Sequence, residues 1–167
     1  MIGCRWRLFW DIQIKTDWCS LGDKTIREHF GHIWPRHVLE MTRFLIACRR
    51  NFDGDIDLFL VLCVIGERTF SQDNVRETLS FEQWTSPDVK LIDAENINVQ
   101  SIADFSGIPR ETVRRKLHIL MDKGWVTRDE AGYVQATRKA QEDLAPLTEV
   151  SIRYLSQMKA AFDTIPG

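Results

Sequence analysis

No stretch of this sequence approaches the roughly 20 consecutive apolar residues that cross a bilayer, so it reads as a chain without membrane contact. Its four cysteines, Cys4, Cys19, Cys48 and Cys63, include no C-x-x-C pair, which argues against both a zinc ribbon and a disulfide framework. A glycine-rich phosphate loop is missing, and so is any nucleophile paired with a base; the chain reads as a non-enzyme without a cofactor. Charge of one sign is missing too. With 22 Lys and Arg against 24 Asp and Glu, the net charge of −2 gives no whole-chain hint of a nucleic-acid partner. The basic, apolar opening Met1 to Trp10 is interrupted by Asp11 too early for a signal peptide, and the expected location is the cytoplasm.

Metal patterns are incomplete in the same way. His29 and His32 share a helix face at i, i+3, but no fixed further ligand accompanies them. Asp53, Asp55 and Asp57 imitate the start of a calcium loop, yet Leu58 stands where that loop needs glycine and Val64 where it needs glutamate. Helix capping accounts for these aspartates better. Cys48 and Cys63 read as core residues, and Cys19 as a possible redox-sensitive thiol in a polar stretch.

What is present is concentrated between Asn98 and Trp125. Asn98 is placed to cap a short helix whose inward face is Val99, Ile102 and Ala103. Gly107 sits where the chain reverses, and Pro109 presets φ at the start of a second helix. Val113, Leu117, Leu120 and Met121 make one apolar stripe on that helix, opposite Glu111, Arg114, Arg115 and His118. Gly124 stops it. Trp125 to Arg128 and Tyr133 to Thr137 then read as two strands about a turn at Asp129 to Gly132. A helix, a glycine turn, a basic helix and a hairpin form the pattern of a winged helix-turn-helix, spanning residues 97–139.

The charge distribution agrees with it. From Gln100 to Ala140 there are eight basic and five acidic residues, a net of +3, while the remaining 14 basic and 19 acidic residues leave −5 elsewhere. Positive charge thus gathers on the element expected to meet phosphates.

Around this segment the fold class is mainly α. Residues 6–14 alternate, with Trp6, Leu8, Trp10, Ile12 and Ile14 on one side, and predict a strand or arm within residues 1–22. Residues 23–70 predict a helical region for dimerisation or sensing. Its first helix runs from Lys24 to about Asn51, kinked or restarted at Pro35, and its second, from Asp55 to about Thr69, is apolar around nearly every side and so buried. Residues 71–96, with a possible short helix near Asn74 to Leu79, read as a linker. Residues 140–167 predict terminal helices interrupted near Pro146, with Leu147, Val150, Tyr154, Leu155, Met158, Ala161, Phe162 and Ile165 at helical spacing. That stripe needs a partner, either the long N-terminal helix or a second copy of the chain. Trp34, Phe81 and Trp84, with the N-terminal tryptophans, are candidates to line a pocket for a small-molecule effector.

On these residues the chain resembles the winged helix-turn-helix transcription regulators of bacteria. Its element order is similar to MarR-type regulators, apart from the longer segment 71–96, and Arg110-Glu111-Thr112-Val113-Arg114-Arg115 resembles the recognition-helix opening of the Crp/Fnr family. That family usually has serine where this chain has Pro109. The resemblance implies that Arg110, Glu111 and Arg115 read bases, and the element order implies a homodimer built from the terminal helices. Thr112, Arg114, Lys116 and Arg128 are then the expected phosphate contacts. The function expected is a sequence-specific regulator of transcription that binds a palindromic operator in double-stranded DNA; the alternative is a winged helix that binds protein and no DNA. The acidic wing tip, Asp129 and Glu130, argues against deep minor-groove insertion by the hairpin.

Overall fold

The computed structural model describes residues 18–70, 80–85 and 97–165. The alternating segment 6–14, Cys19's side chain, the Asn74 to Leu79 helix and most of the 71–96 linker lie outside what is described. The elements in order are α1 (Trp18–Glu28), α2 (Phe30–Asn51), α3 (Ile56–Phe70), α4 (Phe81–Thr85), α5 (Val99–Ser106), α6 (Arg110–Asp122), β1 (Val126–Arg128), β2 (Val134–Ala136), α7 (Arg138–Asp143) and α8 (Ala145–Asp163). The protein is mainly helical with a small two-stranded antiparallel sheet. No described helix is long and apolar enough to cross a membrane.

The chain divides into two compact units, one from Met1–Thr42 with Tyr154–Gly167 and the other from Arg43–Arg153. In the larger, α3 packs against α5, α6 and β2. Its core joins Cys48 and Phe52 to Val61 and Ile65 of α3, Ile102 of α5, Val113, Leu117 and Leu120 of α6, and Val126 and Val134 of the hairpin. Phe52 stacks edge-on against Phe59 at 5.3 Å and Trp125 at 5.6 Å, so the α2–α3 junction reaches the base of the hairpin. Each such aromatic pair adds roughly 0.5–1.5 kcal/mol to the area that it buries.

The hairpin register pairs Val126 with Ala136, Thr127 with Gln135 and Arg128 with Val134. A single bridge from Val134 to Ile97 adds the beginning of a third strand. On the helix side, buried Thr69 accepts from the Ala136 N–H at 3.1 Å while donating to the Ile65 carbonyl at 2.8 Å. A sheet edge is thereby satisfied by a side chain rather than by another strand.

In the smaller unit Ile33 and Ala161 are buried, His32 Nε2 donates to the Ala161 carbonyl at 3.1 Å, and His37 Nδ1 shares a hydrogen bond with the Tyr154 hydroxyl at 3.1 Å. These histidines are occupied in helix packing. Among the described residues no three His, Cys, Asp or Glu side chains are grouped to hold a metal. Phe30, Trp34, Val38 and Leu39 of α2 and Leu155 and Phe162 of α8 remain exposed, Leu155 by 63%.

Two sequence expectations are corrected. The break in the N-terminal helix falls at His29, ahead of Pro35, which lies inside α2. α2 runs on from Phe30 to Asn51 across Pro35, which lacks an N–H to donate but does not end the helix. Cys63 is exposed, whereas Cys48 is fully buried as expected. A helix apolar on nearly every side carries no phase from which its one exposed stripe can be read. Even so, desolvation by the surrounding chain and then the proximity of Cys48 push the Cys63 thiol up to about 11, which keeps it protonated and unreactive at neutral pH. The interruption expected near Pro146 is present between α7 and α8, at Leu144, and Pro146 itself stands in the first turn of α8, where its missing N–H is tolerated.

Candidate nucleic-acid interface

The α5–α6 pair is built by local chemistry. Asn98 Oδ1 accepts from the backbone N–H of Gln100 at 2.9 Å and of Ser101 at 3.1 Å, closing the start of α5. Gly107, at φ 71°, ends it in the left-handed region with its N–H on the Ala103 carbonyl. Pro109 precedes α6 with φ −54° and ψ 135°; it offers no side-chain cap, and the Val113 N–H closes onto its carbonyl at 3.0 Å. Gly124, at φ 72°, terminates α6, where Trp125 N–H reaches the Leu120 carbonyl at 2.9 Å.

Burial on α6 is one-sided. Val113, Leu117 and Leu120 are buried and Met121 half-buried, while Arg110, Glu111, Arg114, Arg115, His118 and Ile119 are exposed. Neither the Arg110 nor the Arg115 side chain takes part in a hydrogen bond or ion pair among the described residues. Both guanidinium forks are exposed and, among the described residues, open to a ligand.

The other expected contacts are placed differently from one another. Arg114 grips Glu111 with two bonds, Nε to Oε2 at 3.0 Å and Nη2 to Oε1 at 2.7 Å. Hydrogen bonding by Arg114 holds the Glu111 carboxyl below its ordinary range against slight desolvation, and the charges of Arg114, Arg115 and His118 add to this. Glu111 is therefore an oriented, charge-compensated acceptor. Thr112 is half-buried on the flank of the helix. Arg128 is exposed but folds back over the hairpin tip, its Nε 3.4 Å from the Gly132 carbonyl. The tip closes on Asp129, which accepts from Tyr133 N–H, and on Gly132, whose φ of 91° is open to glycine and costly to other residues.

Lys116 departs most from the sequence reading. Its ammonium, with the side chain only 17% exposed, is paired with Asp55 at the start of α3. The pair ties Lys116 to the body of the unit. Asp55 itself accepts from Leu58 N–H at 2.9 Å, which bears out the capping reading of that aspartate. Desolvation raises its carboxyl, but hydrogen bonds from Lys116 and Leu58, and then the Lys116 charge, outweigh that and hold it below the usual carboxylate range. The base of the hairpin is fixed by Trp125 Nε1, which donates to Asp143 at 2.8 Å beside Lys139 at 2.7 Å. Sequence pattern did not single out Thr69, Asp143 or the Asp55–Lys116 pair, because each acts through a partner distant in sequence.

Trp34 stacks on Phe30 at 5.0 Å and stays exposed, Phe81 is exposed, and the Trp84 and N-terminal tryptophan side chains lie outside the description. A shallow depression does occur at the α2–α3 junction, lined by Arg49, Gly54, Ile56 and Asp53, Asp55 and Asp57. Its lining is polar rather than aromatic.

The fold and this surface define a class in broad terms: a mainly helical protein carrying a small antiparallel hairpin after a helix with exposed arginines on one face. No known family model matches the chain, and no curated protein and no solved structure matches it.

Proposed function

We propose that the chain is a sequence-specific, double-stranded DNA-binding regulator of transcription, with α6 as the recognition helix in a winged helix-turn-helix and with two copies acting together. The observation that carries this reading is the one-sided burial of α6, which leaves Arg110 and Arg115 exposed, and unpaired among the described residues, beyond a glycine-turned α5. An α-helix fits the major groove, where an arginine fork meets guanine O6 and N7 and a carboxylate accepts from cytosine N4, each good pair discriminating by about 1–3 kcal/mol. Arg110 and Arg115 are the guanine readers in this account. Glu111 is the cytosine reader, with Arg114 holding its carboxylate in place and compensating its charge near the phosphates. Arg128, released from the hairpin tip, meets the backbone.

The homodimer is supported by the apolar surface of the smaller unit, where Trp34, Val38, Leu155 and Phe162 are exposed. Two recognition helices one helical turn apart, about 34 Å, would read a palindrome. The test is selection of bound fragments from a random duplex pool by the purified protein. An enriched pair of inverted half-sites containing G·C pairs, lost with Arg110→Ala and Arg115→Ala together, is expected. Recovery of unenriched DNA would overturn sequence specificity, and no recovery at low salt would favour the protein-binding alternative.

A further inference from the structure

Asp55 uses its two carboxylate oxygens for two different helices. Oδ1 accepts from the Leu58 N–H and so caps α3, while Oδ2 holds Lys116, in the middle of α6, across 61 residues of sequence. The pair is sheltered, with the lysine side chain 17% and the aspartate side chain 29% exposed, which removes it from the class of solvated surface pairs that contribute almost nothing. The backbone delivering Asp55 is shaped for the purpose: Asp53 at φ 53° and Gly54 at φ 87° turn the chain sharply, with Gly54 N–H on the Arg49 carbonyl at 2.7 Å and Asp55 N–H on the Phe52 carbonyl at 2.8 Å. At the other side of the same short junction, Phe52 lies edge-on against Trp125, where the hairpin begins. One four-residue junction, Phe52 to Asp55, therefore touches both α6 and the base of the hairpin.

We infer that Asp55 and Lys116 are positioning residues: their ion pair is a strut that fixes the placement of α6 on α3, and Lys116 serves this strut instead of binding phosphate. The inference rests on the DNA-binding reading above for its consequence, while the strut itself is a matter of folding. A constellation of base-reading side chains loses effect when its supporting shell allows a displacement near 1 Å. Losing the strut therefore weakens binding although neither residue touches DNA. Simple electrostatics gives the opposite sign for Asp55, since deleting a negative charge near a polyanion strengthens binding.

Asn at position 55 keeps an oxygen for the Leu58 cap and removes the charge, so Asp55→Asn separates strut from cap. The experiment compares wild type, D55N, K116M, K116R and the D55N/K116M double variant by duplex binding across salt concentrations and by urea unfolding. The expected result is a loss of affinity on the order of tenfold in each single variant at every salt concentration, no further loss in the double variant, recovery in K116R, and an unchanged salt slope. A K116M slope shallower by about 0.9 would make Lys116 a phosphate ligand and overturn the proposal; tighter binding by D55N would overturn it as well. Should the wild type bind no duplex at low salt, the DNA reading fails, and unfolding alone judges the strut. Equal lowering of the urea midpoint by both single variants and the double variant sustains it, and additive lowering refutes it.

Discussion

The two compact units differ in how much core they close: nearly all the buried apolar residues belong to the larger, and the smaller buries Ile33 and Ala161 among its described residues. In the unit from Arg43 to Arg153, α6 buries Val113 and Leu120 completely and turns arginines outward; in the smaller unit, α2 and α8 leave Trp34 46% and Leu155 63% exposed. The first closes its own core and offers charge. The second offers apolar surface. Large apolar side chains such as Leu60 and Phe105 are exposed on the larger unit as well, so what sets it apart is its closed core and the arginines of α6; in the account above DNA meets those arginines and a second copy meets the apolar surface of the smaller unit.

The sharpest way to break this contrast is to truncate one residue from each side of it. Leu120→Ala should cost about 3 kcal/mol in urea unfolding, because a fully buried leucine leaves a cavity. Leu155→Ala should change the monomer's stability by no more than about 0.5 kcal/mol. Equal costs would mean that the smaller unit's surface is not free.

The converse substitution addresses association. Trp34→Glu with Leu155→Glu should leave the helical content unchanged and convert a dimer into a monomer in sedimentation, each lost anchor costing the interface about 2 kcal/mol. An unchanged mass would remove these two residues from any interface between copies.

Much of this contrast is legible in the sequence, and the exceptions share a physical reason. Asn98, Gly107, Pro109 and Gly124 act on backbone groups within a few residues of themselves, so the α5–α6 pair and the hairpin can be read from spacing alone. The α6 stripe is legible because Val113, Leu117, Leu120 and Met121 recur at i, i+4, i+7 and i+8 on a helix whose other face is mostly polar. α3 is not, since its apolar residues surround it and conceal that Cys63 faces outward. Lys116 is one helical position from Arg115 and has the same charge; only the fold, by bringing Asp55 to it, separates a strut from a free cation. Arg114 and Glu111, at i, i+3, were readable as an intrahelical pair, but the resemblance to a base-reading helix assigned them to separate contacts.

Smaller effects probe how the larger unit is sealed. Thr69→Val keeps the shape but strands the Ala136 N–H without its acceptor, which should cost about 1–2 kcal/mol in unfolding. If it costs nothing, the sheet edge has another partner. The least effect concerns pH. Lys139 and then Trp125 hold the Asp143 carboxyl below its ordinary range, and Lys116 and Leu58 do the same for Asp55 against desolvation. A carboxyl whose folded value is depressed contributes stability that is present above its unfolded value, about 3.9, and is lost as pH falls through the lower folded value. The urea midpoint should therefore fall below about pH 4, less steeply in Asp143→Asn. A profile unaltered by that substitution would show that the Trp125–Asp143 contact adds no pH-dependent stability.

The central claim is that the face of α6 with the exposed arginines meets duplex DNA, and a salt titration of the purified chain on a mixed-sequence duplex tests it most directly. The account predicts measurable binding near 50 mM salt that weakens linearly in log–log form, by about 0.9 in slope for each phosphate neutralised, with a shallower slope in Arg128→Ala. Absence of binding at 50 mM salt, with the protein folded, would contradict it.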